Sequence, residues 1–191
     1  MELKAGTFVK IKVENVMWPY RDRYAFSQPE FKYFEGNILR DINGAIIDIS
    51  IFNDGPLLNS SGQPLAGRNT DSESLTVYKE GFLISFESNH RIMFHKSLGA
   101  AGTFLPKHRD FMKFKTNKGI EAIASNSKGE IFAIPEEPPG NDVNFPIYKL
   151  IEGKWSVFAR FPTSGSFLVT EAIFLPDDNL KMILRILKLE Q

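Results

Sequence analysis

Short apolar runs alternate along the chain with clusters of Gly, Pro, Asn and Asp. Phe82–Phe86 (FLISF), Ile131–Ile134 (IFAI), Trp155–Phe161 (WSVFARF) and Ile173–Leu175 (IFL) are examples. Runs this short, rich in aromatic and β-branched residues and bounded by turn formers, predict strands. Long apolar stripes of helical period are missing over most of the sequence. The pattern predicts an all-β protein.

The strand pattern repeats. Glu73 opens E-S-L-T-V, Glu121 opens E-A-I-A-S and Glu171 opens E-A-I-F-L, at spacings of 48 and 50 residues. A turn follows each opener at a matching offset: Tyr78–Gly81, Asn126–Gly129 and Pro176–Asn179. A second strand comes next, over Phe82–Phe86, Glu130–Ile134 and Leu180–Ile186. Arg91–Phe94 and Pro146–Leu150 are predicted as third strands, and Phe111–Phe114 and Trp155–Phe161 as fourth strands. Four antiparallel strands in roughly 45 residues is the period of a β-propeller blade. A β-sandwich with similar hairpins is the alternative. The expected organisation is one propeller-type domain over residues 1–191, with blades at 71–118 and 119–168 and a partial blade at 169–191. Residues 1–70 would form a less regular N-terminal blade and a closing strand. With so few repeats, the ring is small, partial or closed by another chain.

Closure makes a specific demand. Leu180–Ile186 would leave one edge of backbone groups unpaired, a template for self-association unless covered. Thr7–Val13 (TFVKIKV) sets Phe8, Lys10 and Lys12 against Thr7, Val9, Ile11 and Val13, the pattern of a half-exposed strand. It is therefore predicted to pair with Leu180–Ile186, unless a second copy supplies the partner.

Composition narrows the chemistry. Lys plus Arg is 23 and Asp plus Glu is 23, so there is no basic excess of the kind that marks a nucleic-acid partner. With no cysteine, disulfides, thiolate metal sites and cysteine nucleophiles are excluded. Charged and polar residues interrupt the N-terminal apolar runs before a signal peptide can be read, and no window approaches the ~18 apolar residues of a membrane-spanning helix. There is no G-x-S-x-G pentapeptide, and His90, His95 and His108 lack the spacing of a zinc hydrolase.

What remains is carboxylate chemistry. Glu73, Glu121 and Glu171 share one position at the start of the strand nearest the propeller channel, so they converge. Like charges aimed at one axis need compensation. Ca²⁺, with its preference for six to eight oxygen ligands, is one solution, which makes these three the candidate metal ligands. The alternative is that each Glu bonds the backbone of the next blade and holds two blades in register.

A second tier follows 14 or 15 residues later: Glu87, Glu136 and Arg185. An antiparallel hairpin returns these to the level of the openers, so Glu73–Glu87, Glu121–Glu136 and Glu171–Arg185 should share one rim. The last is an expected ion pair. The two Glu–Glu pairs need a proton, a cation or an Arg, and Arg91 is the expected partner. Glu87, Glu136, Arg91 and Arg185 are the candidate catalytic residues. His90-Arg91 beside Glu87 is a candidate phosphate or carboxylate site through the Arg fork, or else a solvated surface. Pro135–Asn144 reads as an exposed insertion.

Four stretches resemble the phytase-like propellers known for esterase-like activity of phytase. They are NSSGQPLAGRNTDSESLTV, GFLISFESNHRIMFH, TNKGIEAIASNSKGEIFAIPEE and TEAIFLPDDNLKMILRI, spread in the family's order from Ile51 to Ile186. Ser74 stands where the family favours Gly after the opening Glu, and Asp178 where it has the Gly of Leu-Pro-Asp-Gly. The resemblance implies a six-bladed architecture, a hydrolase acting on a small-molecule phosphate or other ester, and a periplasmic or secreted setting. A non-catalytic propeller that binds a ligand or protein is the other reading, because the fold hosts both uses. Neither a nucleic acid nor a membrane is an expected partner.

Overall fold

The computed structural model describes residues 4–13, 31–162 and 165–186. Its strands form four antiparallel sheets, with no α-helix among the described residues. The N-terminal sheet holds β1 (Lys4–Val13), β2 (Phe31–Arg40) and β3 (Ile46–Pro56). The first four-stranded sheet runs β4 (Ser72–Tyr78), β5 (Gly81–Phe86), β6 (Arg91–His95) and β7 (Thr103–Phe104). The second runs β8 (Ile120–Ser125), β9 (Ile131–Pro135), β10 (Asn144–Ile151) and β11 (Lys154–Pro162). The third is the hairpin β12 (Phe167–Phe174) and β13 (Leu180–Ile186). Each sheet is a meander in chain order.

Alternation along the strands decides how the sheets stack. On β9, Ile131 and Ala133 enter one core cluster with Leu83, Ile92 and Tyr148. Phe132 and Ile134 enter another with Phe145, Val169 and Ala172. A period of two sends successive side chains to opposite faces, so the second sheet is buried between neighbours on both. β5 divides likewise, with Leu83 facing the second sheet while Ile84 and Phe86 pack on Tyr33, Leu57 and Leu98. As a result β8 lies against both β4 and β12.

Hydrogen bonds between sheets join positions 48 to 51 residues apart. The Ile123 N–H donates to Ser74 Oγ at 3.1 Å, and Ser125 Oγ to the Val77 carbonyl at 2.6 Å. Ser127 donates to Asp178 from both its N–H and its hydroxyl, at 3.0 and 2.7 Å. Asp178 reaches back from a turn in which it holds φ at +59°, a conformation Asp tolerates better than most residues. Asp178 thus holds the turn and adds a bond to the preceding sheet.

Three expectations are corrected. Phe111–Phe114 is not a strand: Arg109–Lys113 forms a 3₁₀ turn, capped by His108, whose Nδ1 accepts from the Asp110 N–H at 3.2 Å. The fourth strand of that sheet is the short β7. Residues three apart lie on one side of a 3₁₀ turn, so Phe111 and Phe114 stack together at 5.5 Å and pack on Tyr148. The spacing was apolar, but its period was three rather than two. The N-terminal strand does not close the last sheet either. β1 pairs with β2 over ten consecutive positions in a separate sheet. β13 has β12 as its sole strand partner among the described residues. The segment Pro135–Asn144 is less exposed than expected, since Glu136 and Pro139 are buried.

Leu83 is fully enclosed between two sheets, whereas Met112 stands 81% exposed. Leu83→Ala is expected to destabilise the fold by about 2–5 kcal/mol, and Met112→Ala by about 0.5 kcal/mol or less, as read by urea denaturation. Equal small losses would mean that the sheets are not stacked face to face.

Candidate functional site

Irregular strand starts aim the acidic side chains. The β4–β5 ladder slips between Ser72 and Leu75, leaving Glu73 and Ser74 outside the pairing. The β8–β9 ladder slips between Ile120 and Ala122, leaving out Glu121. Bulges of this kind re-aim side chains, and here two openers turn towards one rim. Glu87 follows the end of β5 and Glu136 the end of β9, so the hairpins return them to the same level.

Two carboxylate groups result. Oxygens of Asp71, Glu73 and Glu87 all lie within 4.8 Å of one another, and so do those of Glu87, Glu121 and Glu136. Glu87 belongs to both. It is buried, and its Oε1 accepts the Gly119 N–H from the next sheet at 2.8 Å. Glu87 thus sits among carboxylates and also ties two sheets together. Gly119 has no room for a side chain, because a Cβ would run into His90 Nδ1.

The expected compensation by Arg91 is not what the structure contains. Lys118 instead reaches Glu136 Oε1 at 2.6 Å, with Glu137 at 3.9 Å. Burial works against the Lys118 charge, but its bond to Glu136 and the surrounding carboxylates raise its pKa overall. Arg91 donates to the backbone carbonyls of Asn89 and Asn69 and lies over the Phe86 ring. It starts a buried strand opposite Phe86, and backbone carbonyls are what its head can reach.

Glu171 also departs from expectation. It joins neither carboxylate group among the described residues. In the third sheet the slip comes one residue earlier, at Thr170, so Glu171 sits in the ladder opposite Ile183. Glu171 accepts the Ala172 N–H at 2.9 Å and a hydrogen bond from the Ser74 hydroxyl. No Glu171–Arg185 ion pair occurs within 4.0 Å; the Arg185 charge acts on Glu121 instead.

Asp71, Lys118 and Gly119 belong to the site but were not singled out from the sequence. Asp71 lies two residues before an opener and Lys118 three before the next. Nothing in one repeat marks a residue that acts on its neighbour.

The crowding has an electrostatic consequence. Burial, then Glu121, Glu87, Asp71 and Glu136, push the Glu73 pKa up to about 8. Burial, then Glu136 and Glu87, push Glu121 up to about 7 against the opposing charges of Arg185 and Lys118. Burial raises Glu87 too, opposed by the Gly119 N–H. Around neutral pH the rim therefore holds protons that free carboxylates would have released.

A family model, described as phytase-like with esterase-like activity of phytase, matches residues 12–189. No curated protein matches the chain.

Raised carboxyl groups set the sign of a pH effect. Below the ordinary value of 4.5 the folded and unfolded chains both keep the proton, and no cost arises. As pH rises through about 7 and 8 the folded rim is forced to ionise, and stability falls. Glu73→Gln and Glu121→Gln are expected to raise Tm at pH 9 in a chelating buffer while changing it little at pH 5. Variants that gain as much at pH 5 as at pH 9 would contradict this assignment.

Proposed function

The chain belongs to the phytase-like family, and we propose that it is a phytase-like hydrolase of a phosphate or other ester whose acidic rim holds a divalent cation, Ca²⁺ by preference. The observation carrying this reading is the pair of carboxylate groups that share Glu87, all oxygen donors within 4.8 Å of their neighbours. The donor chemistry fits. A set made only of carboxylate oxygens suits a hard cation, and the raised Glu73 and Glu121 describe a site short of positive charge. Glu73, Glu87, Glu121 and Glu136 would be the ligands, with Asp71 at the edge.

When bound, such a cation supplies Lewis acidity towards an ester oxygen and lowers the pKa of water. The side chains provide the rest. Glu121, with a pKa of about 7 before a cation binds, gives up its proton near neutral pH as it becomes a ligand. Lys118 keeps Glu136 oriented, and the Gly119 N–H fixes Glu87. Arg185 moderates Glu121 from the third sheet. We propose further that the stacked sheets are successive propeller blades. The adjacency of β4, β8 and β12 and the sheet-to-sheet hydrogen bonds at the repeat spacing support this arrangement.

Calcium is expected to raise Tm by mass action, about 2.7 kcal/mol at a hundredfold excess over Kd. Glu87→Gln should weaken calcium binding more than Glu73→Ala or Glu121→Ala, and Glu80→Ala should leave it unchanged. Titration calorimetry in buffers of different ionisation enthalpy should register proton release on binding near pH 7. A model phosphomonoester and a short-chain acyl ester, assayed in parallel, identify the bond cleaved. Unchanged calcium affinity in the carboxylate variants overturns the cation site. Turnover of neither ester favours the binding-module reading.

A further inference from the structure

Arg91 is the most deeply buried cation of the described chain, only 2% exposed, and no carboxylate approaches it within 4.0 Å among the described residues. Of its five N–H groups, one donates to the Asn89 carbonyl at 3.1 Å and one to the Asn69 carbonyl. Its flat face lies 4.1 Å from the centre of the Phe86 ring. Burial alone lowers its pKa to about 10, and no acid offsets that cost. A buried charge without a counter-charge is unfavourable, and folded chains usually pair it.

A second cation aggravates this. Lys107 donates to Asn89 Oδ1 at 2.9 Å. Burial lowers its pKa, and the Arg91 charge lowers it further. Burial lowers the pKa of His90, beside them in sequence, and the Lys107 charge acts in the same direction. Three basic side chains thus crowd together where nothing acidic meets Arg91 or Lys107. Two cavities open at this place. One, of about 260 Å³, is walled by Asn69, Asn89, Arg91, Met93 and Phe104 among others. The other, of about 270 Å³, is walled by Asn89, His90, Lys107 and Phe111 among others. Asn89 lines both. An ammonium group can only donate, so Lys107 fixes the carboxamide with Oδ1 towards itself and leaves Nδ2 as a further donor.

From this geometry we propose that the two cavities sharing Asn89, one walled by Arg91 and the other by Lys107, together form a binding site for an oxyanion, the phosphate or carboxylate group of a small organic molecule. The anion supplies the missing counter-charge to Arg91 and Lys107, and Asn89 Nδ2 donates to it. Arg offers a planar fork suited to such a group, and Lys a point charge beside it. Met93 and Phe104 give the organic remainder an apolar wall. The site uses none of the rim carboxylates, so it does not depend on the cation proposed there.

Titration of the full-length chain with inorganic phosphate in EDTA tests the assignment, followed by calorimetry and by Tm. Phosphate is expected to bind and to raise Tm without any divalent cation. Lys107→Gln, at an exposed position, should fold normally and weaken phosphate by about tenfold, the loss of one charge-assisted hydrogen bond. Arg91→Lys keeps the charge but removes the fork, and should weaken it at least as much. Glu121→Gln should leave phosphate affinity unchanged while impairing calcium, which separates this site from the rim. Competition by acetate as effective as by methyl phosphate would identify a carboxylate ligand, and failure of acetate to compete a phosphate; either supports the oxyanion site. Absence of phosphate binding in EDTA, or equal affinity in wild type and Lys107→Gln, overturns it.

Discussion

The second sheet is apolar on both faces, and the rest of the arrangement depends on that. Ile131 and Ala133 cannot be buried with Phe132 and Ile134 in one core, because adjacent strand residues point in opposite directions. The sheet must therefore have a neighbour on each side. Stacking it between the first and third sheets brings β8 against β4 and β12. The carboxylates at the strand starts are carried together by apolar burial elsewhere. The hydrophobic term is large enough to impose a local arrangement that electrostatics alone would oppose.

The opposition is expressed in the raised Glu73 and Glu121 and in the protonated state they favour. It is relieved in part by the Gly119 N–H and by Lys118, both of which come from the connection leading into the second sheet. That connection lies between the two carboxylate groups. It supplies a backbone donor to Glu87 on one side and an ammonium to Glu136 on the other. The absence of a side chain at Gly119 lets it come so close to His90. Structure and chemistry share the same few residues, and Glu87 in particular joins sheets while lying at the centre of the acid cluster.

Charge is also sorted in space. Acidic groups gather at Glu87, whereas Arg91, four residues later, faces carbonyls, an aromatic ring and a cavity. The turn between β5 and β6 separates the two. One hairpin thus presents a site deficient in positive charge and a site deficient in negative charge.

Much of this was legible in the sequence. Short aromatic runs between turn formers specified an all-β chain of antiparallel sheets, because strand period and turn chemistry are local properties. The return of Glu87 and Glu136 to the level of Glu73 and Glu121 followed from hairpin geometry. What depended on tertiary structure was of another kind. In the third sheet the ladder slips at Thr170, and Glu171 bonds the Ser74 hydroxyl instead of joining a carboxylate group; ladder slips leave no mark in an apolar pattern. Phe111 and Phe114 became a 3₁₀ turn because Tyr148, 34 or more residues away, offered them a surface. β1 found β2 rather than β13, and Lys118 rather than Arg91 reached a carboxylate pair. Each of these turns on which partner is near in space, and partners distant in sequence are set only when the sheets stack.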